Sequence, residues 1–339
     1  MTTLRAGLVG LGAMGRHHAR VLRSTPGIEL VAVADPAGDP DRLVDGVPVV
    51  PGIEELIGTD LDMCVVAAPT RHHRDVGLAL ASARVHTLIE KPLAEDVSSC
   101  FALSEAFAAA GVIGCVGHIE RYNPALQALR QRIETGELGA IYQVATRRQG
   151  PFPERIADVG VVLDLASHDI DSTAWITGQE FRTVAARTAH KSGRLHEDLV
   201  AVVGHLADGT VTSHLVNWLS PMKERVTVVT GEKGCFVADT VNADLTFFAN
   251  GNIAMEWESM SIFRGVAEGD VVRYALARPE PLRTELQAFR DAVLGSSEKI
   301  VTVEEGTRTV AVAEGLLSSA ASGATVYVPP LQSRADVPG

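Results

Sequence analysis

The first 120 residues alternate short apolar runs with helical segments, and this alternation restricts the chain to a fold built from β–α–β units. The apolar runs are nearly continuous in hydrophobic residues, which is typical of parallel strands that are covered on both faces. The predicted strands are Leu4–Gly10, Ile28–Ala34, Met63–Ala68, Val85–Ile89 and Val112–Gly117. The predicted helices are Met14–Ser24, His73–Ala83 and Val97–Ala110. We therefore expect an α/β domain with a doubly wound parallel sheet in residues 1–120.

A glycine-rich loop joins the first predicted strand to the first predicted helix. Residues Gly10 to Gly15 have the spacing GxGxxG, in which glycines permit a tight turn and a close approach of backbone N–H groups to a pyrophosphate. Asp35 stands 20 residues after Gly15, at the end of the second predicted strand. A carboxylate there accepts hydrogen bonds from ribose hydroxyls and repels a 2′-phosphate, and a turn residue before Pro36 is the alternative role. These features predict a Rossmann domain that binds NAD in preference to NADP.

After residue 120 the chain becomes rich in predicted strands, with one long predicted helix at about Val159–Thr177. The strands, which we expect to be antiparallel, lie near Tyr142–Arg148, Phe181–Ala189, Leu199–Leu206, Val211–Leu219, Val226–Thr230 and Cys235–Asp239. Ala207-Asp208-Gly209 is a predicted hairpin turn. Late helices at about Arg283–Leu294 and Glu305–Ala321 precede a short strand, Thr325–Val328. The pattern predicts an α+β domain with a large open, mostly antiparallel sheet in residues 121–330, followed by a polar tail in residues 331–339.

Composition and charge argue against several classes of protein. The net charge of −12 argues against nucleic acid as a partner. No apolar run approaches the roughly 18 residues of a transmembrane helix, so we expect no membrane association, and the N-terminal residues lack the layout of a signal peptide. The four cysteines (Cys64, Cys100, Cys115 and Cys235) are widely separated, which is typical of buried thiols in a reducing compartment. We therefore expect a cytoplasmic protein without disulfides or bound metal.

The apolar run that ends at Ile89 is followed by Glu90, Lys91 and Pro92 instead of the usual turn residues. A carboxylate, an amine and a rigid proline thus stand at the carboxyl edge of a predicted parallel sheet, where α/β proteins bind ligands. Lys91 in this position either acts on a substrate or forms a salt bridge.

The order and spacing of four motifs resemble the glucose–fructose oxidoreductase, inositol dehydrogenase and MocA superfamily over essentially the whole chain. The motifs are Gly10-x-Gly12-x-x-Gly15, Ala68-Pro69-x-x-x-His73, Glu90-Lys91-Pro92-Leu93-Ala94 and Asp164-x-x-x-His168. The resemblance implies hydride exchange between NAD and a sugar or cyclitol in a homodimer or homotetramer, with Lys91, Asp164 and His168 as catalytic residues. The expected cofactor-binding residues are Gly10, Gly12, Ala13, Met14, Gly15, Asp35, Pro69, Thr70, His73, Glu90 and Lys91.

The chemistry of a secondary alcohol gives the three catalytic candidates distinct roles. His168 can accept the hydroxyl proton because imidazole titrates near neutral pH. Asp164 lies four residues earlier on the same predicted helix, so it shares a face with His168 and can orient the imidazole or bind a neighbouring hydroxyl. Lys91, as a cation, would polarise the substrate oxygen. An ordinary helical Asp/His pair is the alternative for Asp164 and His168.

Two further stretches, residues 117–124 and 150–161, resemble a subgroup that oxidises the 3-hydroxyl of UDP-N-acetylglucosamine or a related nucleotide sugar. The expected substrate contacts are Arg121, Asn123 and Arg155, together with Lys91, Asp164 and His168. Arginines beside a cleft of an acidic protein suit a diphosphate.

Each of these substrate contacts has a structural alternative. Asn123 precedes Pro124 as a helix cap would, and Arg121 can pair with Glu120 or another carboxylate. The remaining arginines, Arg147, Arg148 and Arg155, can form a solvated basic rim.

Three functional alternatives stay open from the sequence. An inositol or free-sugar dehydrogenase would use the same lysine, aspartate and histidine, and a keto-sugar reductase would run the reaction in reverse. An NAD-binding protein without turnover is disfavoured because Lys91 and His168 are both present.

Overall fold

The computed structural model describes residues 3–153, 159–251 and 267–331. The described chain divides into two compact units. The first unit contains residues 3–122, 159 and 279–314, and the second contains residues 123–153, 160–251, 267–278 and 315–331. None of the described helices is long and apolar enough to cross a bilayer.

The first unit is built on a six-stranded parallel sheet. Its strands are β1 (Leu4–Val9), β2 (Ile28–Ala34), β3 (Val49–Val50), β4 (Met63–Val66), β5 (His86–Glu90) and β6 (Gly114–Gly117). They are arranged in the order β3-β2-β1-β4-β5-β6. The order changes direction between β1 and β4, which is the point where open α/β sheets bind their ligands.

The second unit is built on a nine-stranded mixed sheet. Its strands are β7 (Ile141–Pro151), β8 (Phe181–Ala189), β9 (Leu199–Leu206), β10 (Val211–Asn217), β11 (Leu219–Gly231), β12 (Gly234–Asp239), β13 (Asp244–Gly251), β14 (Ala267–Arg273) and β15 (Val326–Tyr327). Their order is β14-β13-β12-β11-β7-β10-β9-β8-β15. All neighbouring pairs are antiparallel except β7 and β10, which are parallel.

Eight α-helices are found in the described residues. They are α1 (Ala13–Ser24), α2 (Ile53–Ile57), α3 (His73–Ser82), α4 (Val97–Ala110), α5 (Pro124–Glu134), α6 (Ser167–Thr177), α7 (Pro281–Val293) and α8 (Val303–Ser322). In the first unit, Leu22 of α1 and Phe289 of α7 belong to one apolar core, and Leu80 of α3 and Phe107 of α4 belong to another. Helices therefore cover both faces of the parallel sheet, which explains its uninterrupted hydrophobic strands.

In the second unit, one face of the mixed sheet carries its own core. Leu126 and Leu129 of α5 and Ile176 of α6 pack with strand residues such as Val144 and Phe236. Along β9, buried and more exposed residues alternate strictly, so the opposite face of that strand is open. The predicted fold class, a Rossmann sheet followed by an α+β domain with a large open sheet, is confirmed.

Several details differ from the sequence-based expectation. The second sheet is mostly antiparallel, as predicted, and its one parallel pair in the described residues is β7 with β10, over seven positions from Val211↔Gln143 to Asn217↔Gln149. The strands β3, β13 and β14 and the helix α2 were not predicted. The range 121–330 for the second domain includes α7 and the start of α8, whereas residues 279–314 group with the first unit. They do so because α7 supplies Leu282, Leu286 and Phe289 to a core of the parallel sheet.

Candidate active site

The glycine-rich loop brings the chain from β1 into α1 through a turn that other residues could not make. Gly10 has a φ of +92°, and a Cβ there would lie 2.8 Å from the carbonyl oxygen of Ala67. A Cβ on Gly15 would lie 1.9 Å from the carbonyl oxygen of Gly10, so the helix packs directly on the loop. Both glycines are therefore required by the local geometry.

The start of α1 has the features of an anion site. Gly12 is its N-cap, no side chain caps the helix within the described chain, and a Cβ on Gly12 would meet no atom within 4 Å. No acidic residue lies in the first turn, which includes Ala13 and Met14. Backbone N–H groups and the positive end of the helix dipole are thus available to a pyrophosphate. The loop fits the phosphates of NAD.

Asp35 follows β2 and is tied to the glycine-rich loop. Its Oδ2 accepts a hydrogen bond from the backbone N–H of Leu11 at 2.7 Å, and its Oδ1 accepts one from that of Ala37 at 2.8 Å. Each carboxylate oxygen can accept a further hydrogen bond, so the same side chain can also bind ribose hydroxyls. The turn role and the cofactor role predicted for Asp35 are therefore compatible.

Glu90, the last residue of β5, is buried and bound to a histidine that the sequence did not single out. His18 of α1 is fully buried, and its Nε2 lies 2.7 Å from Oε1 of Glu90. Burial alone would raise the pKa of Glu90, but the hydrogen bond and charge of His18, together with Lys91, outweigh burial and lower it. Glu90 is thus a carboxylate at neutral pH, and Nε2 of His18 must be the donor. Glu90 also packs on Gly117, where a Cβ would lie 3.2 Å from its Oε2.

A second buried carboxyl group, Glu285 of α7, lies within the electrostatic range of Glu90. Burial first, and then the charge of Glu90, raise the pKa of Glu285 well above its ordinary value. Neither of its oxygens has a hydrogen-bond partner among the described residues. Both effects favour the neutral form of Glu285, whereas the lowered pKa of Glu90 favours its charged form.

His73, the first residue of α3, contacts the backbone on both sides of its ring. Its Nδ1 lies 2.9 Å from the carbonyl oxygen of Pro92, and its Nε2 lies 2.9 Å from that of Ala68. Burial lowers the pKa of His73, although the two carbonyl groups and Glu90 oppose this effect. A neutral imidazole carries one N–H, so each tautomer donates to one of the two carbonyl groups.

The remaining residues of the cofactor set surround these contacts. Lys91 is half-buried, and the Lys91–Pro92 peptide bond is cis. Thr70 is buried in a short 3₁₀ turn, Thr70–His72, and Pro69 precedes this turn. The structure therefore brings the glycine-rich loop, Asp35 and Glu90 into one region of the first unit, because α1 carries both the loop and His18.

In the second unit, Asp164 and His168 lie on one irregular helix. Asp164 belongs to a π-helical turn, Val162–Ala166, which continues directly into α6 with His168 in its first turn. The long helix predicted at about Val159–Thr177 is therefore present, but it begins with a π-helical turn that was not predicted. Turns of this kind are frequent at functional sites. Both side chains are buried, with 3% and 9% of their surface exposed.

The start of the π-helical turn is held by Glu197, which the sequence analysis also missed. Its Oε1 accepts a hydrogen bond from the backbone N–H of Val162 at 3.0 Å, and its carbonyl oxygen accepts one from Val161 at 3.0 Å. A Cβ on Gly160 would collide with this carboxylate at 2.0 Å. The only sequence signal was an acidic residue just before a predicted strand.

A buried ion pair fixes α6 on the mixed sheet. Nε of Arg148 on β7 lies 2.9 Å from Oδ2 of Asp169 on α6, and each side chain is 3% exposed. Arg148 is therefore not part of a solvated basic rim, one of the roles considered for it. Its neighbour Arg147 is exposed and pairs with Glu224.

The expected substrate contacts in residues 117–124 have structural partners. Nη1 of Arg121 lies 2.6 Å from Oε1 of Glu305. Oδ1 of Asn123 caps α5 by accepting from the N–H of Ala125 at 3.0 Å. The structural alternatives considered for both residues are thus observed, while substrate contact stays a prediction. Arg155 lies outside the described residues.

Comparisons with known proteins agree with this architecture. The model of an oxidoreductase family with an NAD-binding Rossmann fold matches residues 4–156, and the model of the GFO/IDH/MocA C-terminal domain matches residues 126–237. The rhizopine catabolism protein MocA of Rhizobium meliloti is 30% identical over 62% of this chain and 70% of its own. Inositol 2-dehydrogenase 2 of Saccharopolyspora erythraea is 26% identical over 96% of each chain.

A solved structure extends the likeness to both units. The UDP-N-acetylglucosamine 3-dehydrogenase of Acidithiobacillus ferrooxidans superimposes with a TM-score of 0.82 and 25% identity. The superposition covers 95% of this chain and 99% of that one.

Proposed function

Since the chain belongs to the GFO/IDH/MocA family of NAD-binding oxidoreductases, we propose that it exchanges hydride between NAD and C3 of a nucleotide sugar such as UDP-N-acetylglucosamine. The general class of reaction is the same whichever sugar reacts: the chain is an NAD-dependent dehydrogenase that acts on a CH–OH group of a sugar or polyol. The proposal concerns the substrate, the reacting carbon and the residues that act on it.

The observation that carries the nucleotide-sugar proposal is the likeness, over 95% of the chain, to a UDP-N-acetylglucosamine 3-dehydrogenase. Residues 117–124 and 150–161 resemble the same subgroup in sequence. Arg155 in the second stretch is the proposed contact for the diphosphate, because arginine binds phosphate groups in a bidentate manner. Arg121 and Asn123 are proposed to contact the sugar while keeping the structural partners described above.

The proposed roles follow from the needs of alcohol oxidation. NAD, when bound, supplies the hydride acceptor, and the glycine-rich loop and Asp35 hold its phosphates and ribose. Lys91 donates to the substrate oxygen and favours its alkoxide form. His168 takes the hydroxyl proton, and Asp164 orients the imidazole. The alcohol thus loses a hydride to NAD and a proton to His168, giving a ketone, NADH and an imidazolium; reduction of a ketone is the same step reversed.

A cyclitol is the second candidate substrate. Inositol 2-dehydrogenase 2 of Saccharopolyspora erythraea aligns with 96% of this chain, and the proposed roles of Lys91, Asp164 and His168 do not require a nucleotide. Free sugars belong to the same alternative.

A substrate panel separates the candidates. Purified protein is incubated with NAD and UDP-N-acetylglucosamine, its uronic acid, myo-inositol, glucose or xylose, and NADH is followed by absorbance. We expect the largest kcat/KM with a nucleotide sugar and no NADH in the His168→Ala control. Turnover of myo-inositol, with no signal from either nucleotide sugar, would overturn the first candidate in favour of the second.

We also propose a homodimer or homotetramer in which a second copy covers the open face of the mixed sheet. Val203 on β9 and Leu215 on β10 are 54% and 39% exposed, and with Ala185 they line a groove of about 540 Å³. An apolar sheet face of this kind is typical of an interface between copies. Light scattering should give a dimer or larger mass for the wild type and a monomer for Val203→Asp/Leu215→Asp. A monomeric wild type would contradict this.

The proposed location is the cytoplasm. Cys64, Cys100 and Cys115 are buried free thiols, and Cys235 is a half-buried free thiol. Thiols of this kind are typical of a reducing compartment. A fluorescent fusion or cell fractionation would test this, and recovery outside the cytoplasm would refute it.

A further inference from the structure

We propose that His18 and His73 are positioning residues that hold the Glu90–Pro92 segment from two sides and thereby set the position of the Lys91 ammonium group. The proposal rests on the proposed function of Lys91, because a lysine that acts on substrate must have a defined position. Neither histidine is assigned contact with the substrate. Both act through the backbone or the side chain of a neighbour of Lys91.

His18 acts on the residue before Lys91. It lies on α1, 72 positions away in sequence, and its Nε2 donates to Oε1 of Glu90 at 2.7 Å. Its Nδ1 is buried and has no partner among the described residues, so this hydrogen bond is its one polar contact there. The second carboxylate oxygen of Glu90 accepts from the backbone N–H of Lys91 at 3.2 Å. A chain of two hydrogen bonds therefore runs from α1 to the backbone of Lys91.

His73 acts on the residue after Lys91. It lies at the start of α3, 19 positions before Pro92, and its Nδ1 faces the carbonyl oxygen of Pro92 at 2.9 Å. In the tautomer with hydrogen on Nδ1, this contact is a hydrogen bond to the peptide group that follows Lys91. The ring is 1% exposed, so water offers no substitute donor for the carbonyl group.

Each positioning histidine stands next to an exposed histidine in the sequence. His17 precedes His18 on α1, and His72 precedes His73 at the end of the 3₁₀ turn. The exposed members have the same side chain at the neighbouring position and face solvent. They are therefore matched controls for each buried member.

Glu285, the other buried carboxyl group near the segment, does not replace these contacts. Neither of its oxygens has a hydrogen-bond partner among the described residues, and Glu90 is the charged acceptor. Loss of either contact should let the Lys91 ammonium group shift.

Amide side chains that mimic one ring nitrogen test the proposal in the full-length protein. Glutamine places its nitrogen near Nε2 and asparagine places its nitrogen near Nδ1, so His18→Gln and His73→Asn keep the proposed bonds. His18→Asn and His73→Gln lose the proposed hydrogen bonds, although their side chains are nearly the same size as those of the other two variants. Leucine variants at both positions remove all polar contacts, and His17→Leu and His72→Leu are the controls.

The first readout needs no substrate: the rate at which acetic anhydride modifies Lys91, followed by mass spectrometry, with Lys233 and Lys299 as internal references. We expect His18→Asn and His73→Gln to change the Lys91 rate at least about threefold, since loss of a hydrogen bond to a buried group alters the local equilibrium by this order. His18→Gln, His73→Asn and both controls should match the wild type. An unchanged Lys91 rate in folded His18→Asn and His73→Gln would overturn the proposal.

The second readout is the split between kcat and KM with the best substrate of the panel. Displacement of Lys91 should lower kcat about 10- to 100-fold in His18→Asn and His73→Gln, because small misplacements of a reacting group have effects of this size. The dissociation constant for NADH, measured by fluorescence, should stay within about threefold in His18→Asn, because His18 is outside the expected cofactor-binding set. A kcat near the wild-type value in His18→Gln and His73→Asn supports the positioning role. If the asparagine and glutamine variants of either histidine lose kcat equally, the positioning role is overturned.

The two readouts distinguish this proposal from the function of Lys91. A changed Lys91 modification rate with normal kcat supports the positioning contacts and refutes the catalytic role of Lys91. An unchanged modification rate with a normal substrate panel leaves the proposed function standing and refutes the positioning role.

Discussion

The two units hold their proposed catalytic residues by different means. In the first unit, Lys91 follows a buried strand, and its neighbours Glu90 and Pro92 contact the rings of His18 and His73. In the second unit, the helix that carries His168 is fixed by a buried ion pair between Arg148 and Asp169. Removal of Arg148 takes a full positive charge away from a buried carboxylate, whereas Glu90 keeps the hydrogen bond from the backbone N–H of Lys91 when His18 is removed. The second unit should therefore be more sensitive to single substitutions at its anchor.

The strongest test of this difference is Arg148→Met. It removes the cationic partner of the buried Asp169 carboxylate, so we expect the free energy of unfolding to fall by about 3–5 kcal/mol, measured by urea denaturation. Arg147→Met, which removes an exposed ion pair beside it, should cost less than about 1 kcal/mol. The double variant Arg148→Met/Asp169→Leu should recover most of the loss. If Arg147→Met and Arg148→Met lowered the free energy of unfolding equally, the buried ion pair would not be the anchor of the second unit.

The next largest effect should be a loss of kcat, and it should follow from substitution of the proposed catalytic residue in either unit. Lys91→Ala and His168→Ala are each expected to lower kcat at least about 100-fold, equivalent to about 2.7 kcal/mol in the activation barrier. NADH affinity should be largely retained in both, and Lys233→Ala serves as an exposed control. Near-normal turnover of either variant would remove that residue from the mechanism.

Acid should weaken the second unit through His214 on β10. Burial lowers the pKa of His214 to about 4, while its Nδ1 contacts Oγ1 of Thr146 at 2.8 Å. The folded state therefore binds its proton at lower pH than the unfolded chain, and the stability present above pH ~6.5 is lost as the pH falls. This single group should reduce the free energy of unfolding by about 2 kcal/mol between pH 7 and pH 5.

The variant His214→Asn should remove most of that pH dependence, and the exposed His205→Asn should not. The lowered pKa of His73 acts in the same direction in the first unit. Urea denaturation at several pH values would measure both. An unchanged slope in His214→Asn would contradict a buried neutral imidazole at this position.

The smallest expected changes in stability come from substitutions at the start of one helix in each unit. Glu197→Ala removes the acceptor for Val162, and Asp96→Ala removes the cap that accepts from Ser99 on α4 at 2.8 Å. Each should cost about 1 kcal/mol of stability. Only Glu197→Ala should also lower kcat, because its helix carries Asp164 and His168. Loss of kcat in Asp96→Ala as well would mean that kcat follows global stability.

The parallel sheet could be predicted from the sequence because its strands and its glycine-rich turn are each specified by neighbouring residues in the chain. Continuous apolar strands and the GxGxxG spacing gave β1, β2 and α1 within one or two residues. By contrast, the two-residue strand β3 and the five-residue helix α2 are too short to show a period. The parallel pairing of β7 with β10 depends on strand order, which periodicity does not encode.

The residues that hold the candidate site were harder to predict than the motifs that mark it. His18 received no role from the sequence, because its partner Glu90 is 72 positions away. Glu197 and Arg148 were hidden for the same reason, since their partners Val162 and Asp169 are distant in sequence. Motif spacing indicates candidate catalytic residues, whereas the contacts that hold them require three-dimensional structure.

The most direct test of the central claim is isotope transfer. The sugar or cyclitol identified by the panel is labelled with deuterium on the carbon that bears the reacting hydroxyl, and NADH is analysed by mass spectrometry. The account predicts one deuterium in each NADH formed, at a rate that falls at least about 100-fold in His168→Ala while NADH binding persists. Unlabelled NADH from a substrate deuterated at C3, or label transfer at the wild-type rate in His168→Ala, would contradict it.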